Sequence, residues 1–271
     1  MQSYVGCSGW GYDAWEGHFY PKGTKSKDYL PYYSKVFDYV EIDSSFYRIP
    51  NTFMTSRWAK ITPDNFRFTA KIPKSVTHDK RLGQGIESDM EYFYKSFQPL
   101  KDKTLALLLQ LPPSMTMKEG LKKLETFPFE KGYRYAVEAR HKTWFTPEVY
   151  DLFRDLKVCL VWNQLDEVQA PPILTTDFAY IRFIGDRSID EKDFGKIQKD
   201  RTQEMKGWAA ELRKARKEIS LAIVAANNHY AGFGPSTANG FRKMIGLDEV
   251  VWEEMKQSSL ADFGPKLKSQ S

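Results

Sequence analysis

A chain of 271 residues with 41% hydrophobic and 28% charged residues has the proportions of a folded globular protein, which excludes global disorder and collagen-like repeats. Two cysteines, Cys7 and Cys159, are too few for a disulfide framework or a thiolate metal cage, and no apolar run reaches the roughly 20 residues of a membrane span. The net charge of +5 suits anionic ligands without demanding nucleic acid. With no secretory leader read at the start, the expectation is a reduced, cytoplasmic protein without a membrane partner.

In chain order, β-rich runs fall at Tyr4–Cys7, Tyr39–Ile42, Phe66–Lys71, Leu105–Leu111, Arg134–Glu138, Val158–Trp162, Ala179–Phe183 and Leu221–Ala226. Between them lie amphipathic, helix-like stretches at Tyr29–Val36, Thr52–Lys60, Asp89–Leu100, Lys118–Thr126, Pro147–Leu156, Lys199–Lys217 and Ser236–Ile245. Strands alternating with helices predict a parallel sheet. At this length, and with no dinucleotide glycine fingerprint after the first strand, the closed α/β form is favoured: a TIM-type (β/α) barrel. Pro171 and Pro172 interrupt the connection after Trp162, which predicts one irregular, helix-free crossover. A single domain is expected over residues 1–250, followed by a short C-terminal tail, 251–271.

Strand alternation identifies the side chains that turn into the barrel mouth. Val40 and Ile42 suit the helix layer, so Glu41 and Asp43 turn inward. Phe66, Phe68 and Ala70 share the outer face, leaving Thr69 and Lys71 inside. By the same period Gln110, Glu138, Arg140, Tyr180 and Arg182 face the lumen, and Asn228 is read as inward beyond the last strand. These charges converge on the C-terminal end, where barrel enzymes place their chemistry. Burying them costs several kcal/mol per ion before compensation, so they pair with one another or with a ligand. Before Asp43 is counted, Lys71, Arg140 and Arg182 outnumber Glu41 and Glu138 by one charge, which favours an anion.

The segments GCSGWGYDAWEGHFYP, VEIDSSFYRIP, FRFTAKIPKSVTHDKRL, LLLQLPPS, YAVEARHKTWF and NNHYAGFGPSTAN resemble the YecE-like family, a family named a domain of unknown function. The likeness spans roughly residues 4 to 247 and implies a TIM barrel. It implies no reaction.

The leading expectation is an enzyme acting, by hydrolysis, on a phosphate-bearing substrate, nucleic acid in repair or replication included. Lys71, Arg140 and Arg182 hold the anion and stabilise developing charge. Glu41 and Glu138 are the acid/base candidates, His78 a proton shuttle, and Gln110 and Asn228 orient hydroxyls. Trp10 and Tyr47 offer stacking faces at the mouth, with His141 beside them as a binding residue. The aromatic cluster of Trp10, Tyr12, Trp15, Phe19 and Tyr20 after the first strand, with Phe46 and Tyr47 after the second, is also expected to form a mini-core that rigidifies these loops. Two other readings stand: a sugar isomerase or glycosidase using Glu41 and Glu138, and a non-catalytic ligand-binding or clamp-tethered module.

His78, His141 and His229, with Glu41, Asp43 and Glu138, offer donors for a divalent ion such as magnesium or manganese, though no HxH or HExxH spacing supports one. Cys7 and Cys159 are read as core. Arg213, Lys214, Arg216 and Lys217 are read as the solvated last turn of a helix. In the tail, Gln257, Leu260 and Phe263 have the Q-x-x-L-x-x-F spacing and resemble a sliding-clamp-binding peptide, which makes a clamp a candidate partner. Gly264 stands where the usual second aromatic would be.

Overall fold

Short runs that are apolar on both faces become the strands of one parallel barrel in this computed structural model, which describes residues 1–165, 168–185 and 187–252. The strands are β1 (Gln2–Ser8), β2 (Tyr39–Ile42), β3 (Arg67–Lys71), β4 (Thr104–Gln110), β5 (Tyr135–Glu138), β6 (Val158–Leu160), β7 (Trp162–Gln164), β8 (Phe178–Phe183) and β9 (Leu221–Ala226). They pair in parallel in the order β6-β5-β4-β3-β2-β1-β9-β8-β7. The predicted run Val158–Trp162 is thus two short strands on one stretch of chain. β6 pairs with β5 and β7 with β8, so that stretch crosses from one neighbour to the other at Val161 and closes the ring. Val161 N still donates to Val137 O at 3.0 Å. This confirms the single-domain α/β TIM barrel expected from the alternation.

Helices α1 (Ser26–Val36), α2 (Thr52–Ile61), α3 (Ile86–Phe97), α4 (Met117–Glu125), α5 (Pro147–Asp155), α6 (Thr202–Ala215) and α8 (Gly234–Met244) surround the strands, and a one-turn helix, α7 (Asn228–Ala231), precedes the last. The connection between β7 and β8 carries no helix among its described residues. It folds back onto the strands: Thr175 Oγ1 donates to Val158 O at 2.7 Å and accepts from Leu160 N at 2.9 Å. No helix among the described residues is long and apolar enough to cross a membrane.

Val5, Cys7, Val40, Ile42, Phe68, Ala70, Leu107 and Leu109 fill the layer between strands and helices. The lumen is filled from below by Tyr4, Tyr39, Leu108, Ala136, Cys159, Val161, Tyr180 and Ile223. Both cysteines are buried and free. Trp15, Phe19 and Tyr20 are fully buried, with Tyr20 stacked on Tyr29 at 4.2 Å, and Phe46 is buried, but Trp10 and Tyr12 are only partly buried and Tyr47 is exposed, so the expected mini-core is present in part. The basic run closing α6 is exposed at Arg213, Lys214, Arg216 and Lys217, as expected. Packing continues to the end of the described chain, where Trp252 Nε1 donates to His18 O at 3.0 Å and Trp252 O accepts from Tyr32. The residues of the clamp-like peptide, Gln257, Leu260 and Phe263, lie outside the described residues.

Helix α2 is fixed at both ends by polar side chains. Asn51 Oδ1 caps its start by accepting from Met54 N at 2.9 Å. At its end Lys103 Nζ donates to Ala59 O (2.9 Å), Thr62 O (2.8 Å) and Pro63 O (2.9 Å), placing a cation where the helix dipole is negative. Lys103→Met should therefore lower stability by about 1–2 kcal/mol, since a charged donor shared by three carbonyls at the helix end is lost. A urea midpoint unchanged from wild type would show that water replaces the lysine without loss.

Candidate functional site

Each strand contributes alternate side chains to the lumen, and at the C-terminal end these are polar. Glu41 from β2, Lys71 from β3, Gln110 from β4, Glu138 from β5, Arg140 just beyond it and Arg182 from β8 meet there, as the period-2 reading predicts. Glu41 and Glu138 are fully buried, and Lys71, Gln110 and Arg182 nearly so.

Arg182 is the centre of the network. Its Nε and Nη2 donate to the two oxygens of Glu41 at 2.9 and 2.6 Å, while Nη1 donates to Glu138 Oε2. The other Glu138 oxygen accepts from Arg140 Nε at 2.6 Å, and Arg140 Nη2 donates to Gln110 Oε1 at 3.0 Å. Glu41 also accepts from Ser8 Oγ at 2.7 Å and from the Tyr180 hydroxyl. Tyr180, Tyr39 and Thr69 then share a buried hydroxyl cluster, with Tyr39 and Thr69 at 2.7 Å and Thr69 and Tyr180 at 2.7 Å.

At the rim, Lys71 Nζ lies 2.9 Å from Asp43 Oδ1 and 4.2 Å from the centre of the Phe46 ring. Asp43 thereby cancels the one-charge surplus: three cations face three carboxylates. Burial pushes the Glu138 carboxyl upward, but Arg140 and Arg182 outweigh it and hold the group down at about 2. For Asp43 the same contest between burial and the Lys71 and Arg182 charges ends below the ordinary carboxylate range. Glu138 and Asp43 are therefore ionised at neutral pH, and both oxygens of Glu41 and Glu138 are spent on cations. The geometry gives Glu41 and Glu138 the task of holding the arginines, not the acid–base work expected of them.

Above this network opens a cleft of about 520 Å³. Its polar wall includes Asp43, Lys71, Gln110, Arg140 and Arg182; Trp10, Tyr12, Phe46, Tyr47 and Phe194 supply rings. Trp10 and Tyr47 thus stand where the sequence placed them. Residues beyond the strands, Arg187, Glu191 and, from α7, His229, also line the wall. Gly185, at φ 79°, lets the loop after β8 run against the His229 backbone, where a Cβ would come within 2.3 Å of the His229 carbonyl oxygen.

Three expected positions differ. Asn227, not Asn228, lines the cleft: Leu221, Ile223 and Ala225 face the lumen, so the same parity continues to 227. Asn228 is buried instead, with Oδ1 accepting from Trp15 Nε1 at 3.1 Å and from Gly234 N at 2.8 Å. His141 lies outside the cleft lining because the chain turns after Arg140, and its Nδ1 accepts from Thr143 N at 3.3 Å to cap that turn. His78 sits in a one-turn π-helix, Ser75–Asp79, behind Phe46, with ring centres 4.9 Å apart and Nδ1 2.9 Å from Thr77 Oγ1. Burial, with Arg140, Lys71 and Lys74 adding to it, lowers its pKa to about 4, so it is neutral at pH 7. Among the described residues, no three His, Cys, Asp or Glu side chains come together as a metal-binding group.

Residues 4–260 match the family described as "Protein of unknown function DUF72". The UPF0759 protein YunF of Bacillus subtilis is 26% identical over 287 residues, covering 96% of this chain and 99% of YunF. The UPF0759 protein YecE of Escherichia coli is 28% identical over 145 residues, 52% of this chain and 50% of YecE. Among solved structures, a DUF72 family protein from Thermotoga maritima superposes with a TM-score of 0.76 at 31% identity, covering 90% of this chain and 99% of that one. Another, from Enterococcus faecalis, shares the fold with a TM-score of 0.74 at 22% identity, covering 91% of this chain and 96% of that one.

Proposed function

This chain belongs to the DUF72 family, and from that premise we propose that its barrel mouth binds a small phosphate-bearing molecule. The observation that carries the reading is Arg140. Glu138 and Gln110 fix its Nε and Nη2, while Nη1 has no protein acceptor among the described residues and belongs to a guanidinium on the cleft wall. A guanidinium immobilised in this way presents a donor without losing side-chain freedom on binding. The Gln110 amide nitrogen, Lys71 and Arg187 add donors on the same wall.

The surrounding rings suit the planar or sugar portion of such a ligand. The volume is that of a small-molecule site, matching a nucleotide or a sugar phosphate rather than a duplex. Asp43 and Glu191 are the carboxylates on the cleft wall, and Asp43, ionised beside Lys71, is placed to accept from a bound hydroxyl or water. Glycosidase chemistry draws no support from Glu41 and Glu138, because Arg182 occupies the position between them that a scissile bond would need.

Calorimetric titration with thymidine 5′-monophosphate, glucose 6-phosphate and inorganic phosphate, against thymidine and glucose, tests the reading. A phosphorylated probe should bind with Kd below about 1 mM, more weakly as salt rises, while its unphosphorylated partner shows no heat. Equal binding of thymidine and its monophosphate, or no binding by any phosphorylated probe, would sink it.

A further inference from the structure

A second hollow, of about 640 Å³, lies on the far side of Phe46 and Tyr47 from the cleft, and these two residues line both. Phe46 is buried, and Tyr47 stands edge-on to it with ring centres 5.1 Å apart. Tyr47 is itself 72% exposed, so it forms a ridge between the two spaces. A large aromatic side chain left this open in a chain that buries most of its rings is an observation in search of a ligand.

Arg48 and Lys74 flank the second hollow, and Tyr92, also half exposed, presents another ring from α3. Arg48 makes no ion pair among the described residues. Lys74 has only a long, solvated contact, 3.5 Å to Asp79 Oδ1, with both side chains more than half exposed. Such a pair contributes little and is readily exchanged for a phosphate. Asp79 also lines the hollow, so its acceptor is part of the site.

Resting on the reading of the cleft above, we infer that the ligand continues over Tyr47 into this second subsite, where Arg48 and Lys74 hold a second phosphate. The chemistry that fits both spaces is a dinucleotide segment of single-stranded nucleic acid. One nucleotide places its phosphate on Arg140, Tyr47 stacks on a base, and the next backbone phosphate meets Arg48 and Lys74. Rings on exposed ridges beside cations are the general means of holding single strands, because every base has a stacking face. A duplex, whose bases are already stacked on one another, cannot use Tyr47 in this way.

The test compares thymidine 5′-monophosphate with the 5′-phosphorylated thymidine dinucleotide, titrated into the whole chain. The dinucleotide should bind at least about tenfold more tightly. In Arg48→Ala/Lys74→Ala that advantage should fall below about threefold, while monophosphate affinity stays within about twofold of wild type. Tyr92→Ala, on the open face of α3, provides a second variant should the double one fail to fold, and it should remove part of the same advantage. A dinucleotide no tighter than the monophosphate, or an advantage that survives both variants, overturns the second subsite and leaves the cleft reading intact. Failure of the monophosphate itself to bind overturns the cleft reading instead.

Discussion

Arg182→Met is expected to lower the stability of the barrel by about 3–5 kcal/mol at neutral pH, the loss typical of breaking a buried ion pair and leaving its partners uncompensated. Among the described residues Glu41 has this guanidinium as its one cationic partner, Glu138 shares it with Arg140, and both carboxylates are fully buried. The pH dependence distinguishes this from a simple packing defect. In the wild type the Glu138 carboxyl is held at about 2, below its unfolded value, so it contributes stability above the unfolded pKa that is lost as pH falls toward 2. Without Arg182, Glu138 keeps Arg140 but loses one of the charges that hold its carboxyl down, so its pKa moves upward and the variant is relieved by acid. The gap between variant and wild type in urea midpoint should therefore narrow between about pH 5 and 3. A gap that stays constant across that range would mean the methionine side chain, not the charge, is at fault.

Arg140→Ala should weaken phosphate-probe binding by about a hundredfold, equivalent to about 2.7 kcal/mol, because the cleft loses a guanidinium held rigidly by Glu138 and Gln110 with a donor edge toward the ligand. Arg140→Lys should recover only part of that loss, since an ammonium cannot bond Glu138, Gln110 and a ligand in the same fork. Calorimetry at low and high salt separates the two effects: the lysine variant should keep most of the salt dependence but not the affinity. Binding that survives Arg140→Ala at wild-type strength would move the anion site elsewhere in the mouth.

Much of the site was legible in the sequence because β-structure has a period of two. Glu41, Lys71, Gln110, Glu138 and Arg182 each lie within a strand, where the apolar neighbours of the helix layer fix the parity. Legibility ended where the strands did. Asn228 and His141 follow the last strand residue by two or three positions, in turns whose geometry depends on capping rather than alternation. The parity of Leu221, Ile223 and Ala225 carried Asn227 correctly and was the signal available for it. Arg187 and Glu191 enter from the segment after β8, where nothing in residue spacing says which wall a side chain will join, and His229, read as a candidate metal donor, reaches the cleft from α7.

Roles were harder to read than positions. That Arg182 lies between both glutamates, and that Asp43 neutralises Lys71, depends on distances across the barrel that no local pattern encodes. Fold class was secure for the opposite reason: it rests on the repeated strand–helix order, which one irregular crossover does not obscure. The division of one stretch into β6 and β7 was invisible because Val158–Trp162 reads as one continuous apolar run, and only the change of partner at Val161 separates the two strands.

That division has a consequence for how the molecule meets its own copies. Strand sheets left with an unpaired lateral rim are templates on which other chains can be added, and proteins usually guard such rims with charge or proline. Here a single run of chain pairs with β5 along its first half and with β8 along its second, so among the described residues the cylinder is nearly closed and only the three-residue strands β6 and β7 stand at its seam. The long, apolar, β-prone runs TLALLLQ and LAIVAA are β4 and β9, each paired on both sides, so neither is offered to a neighbour.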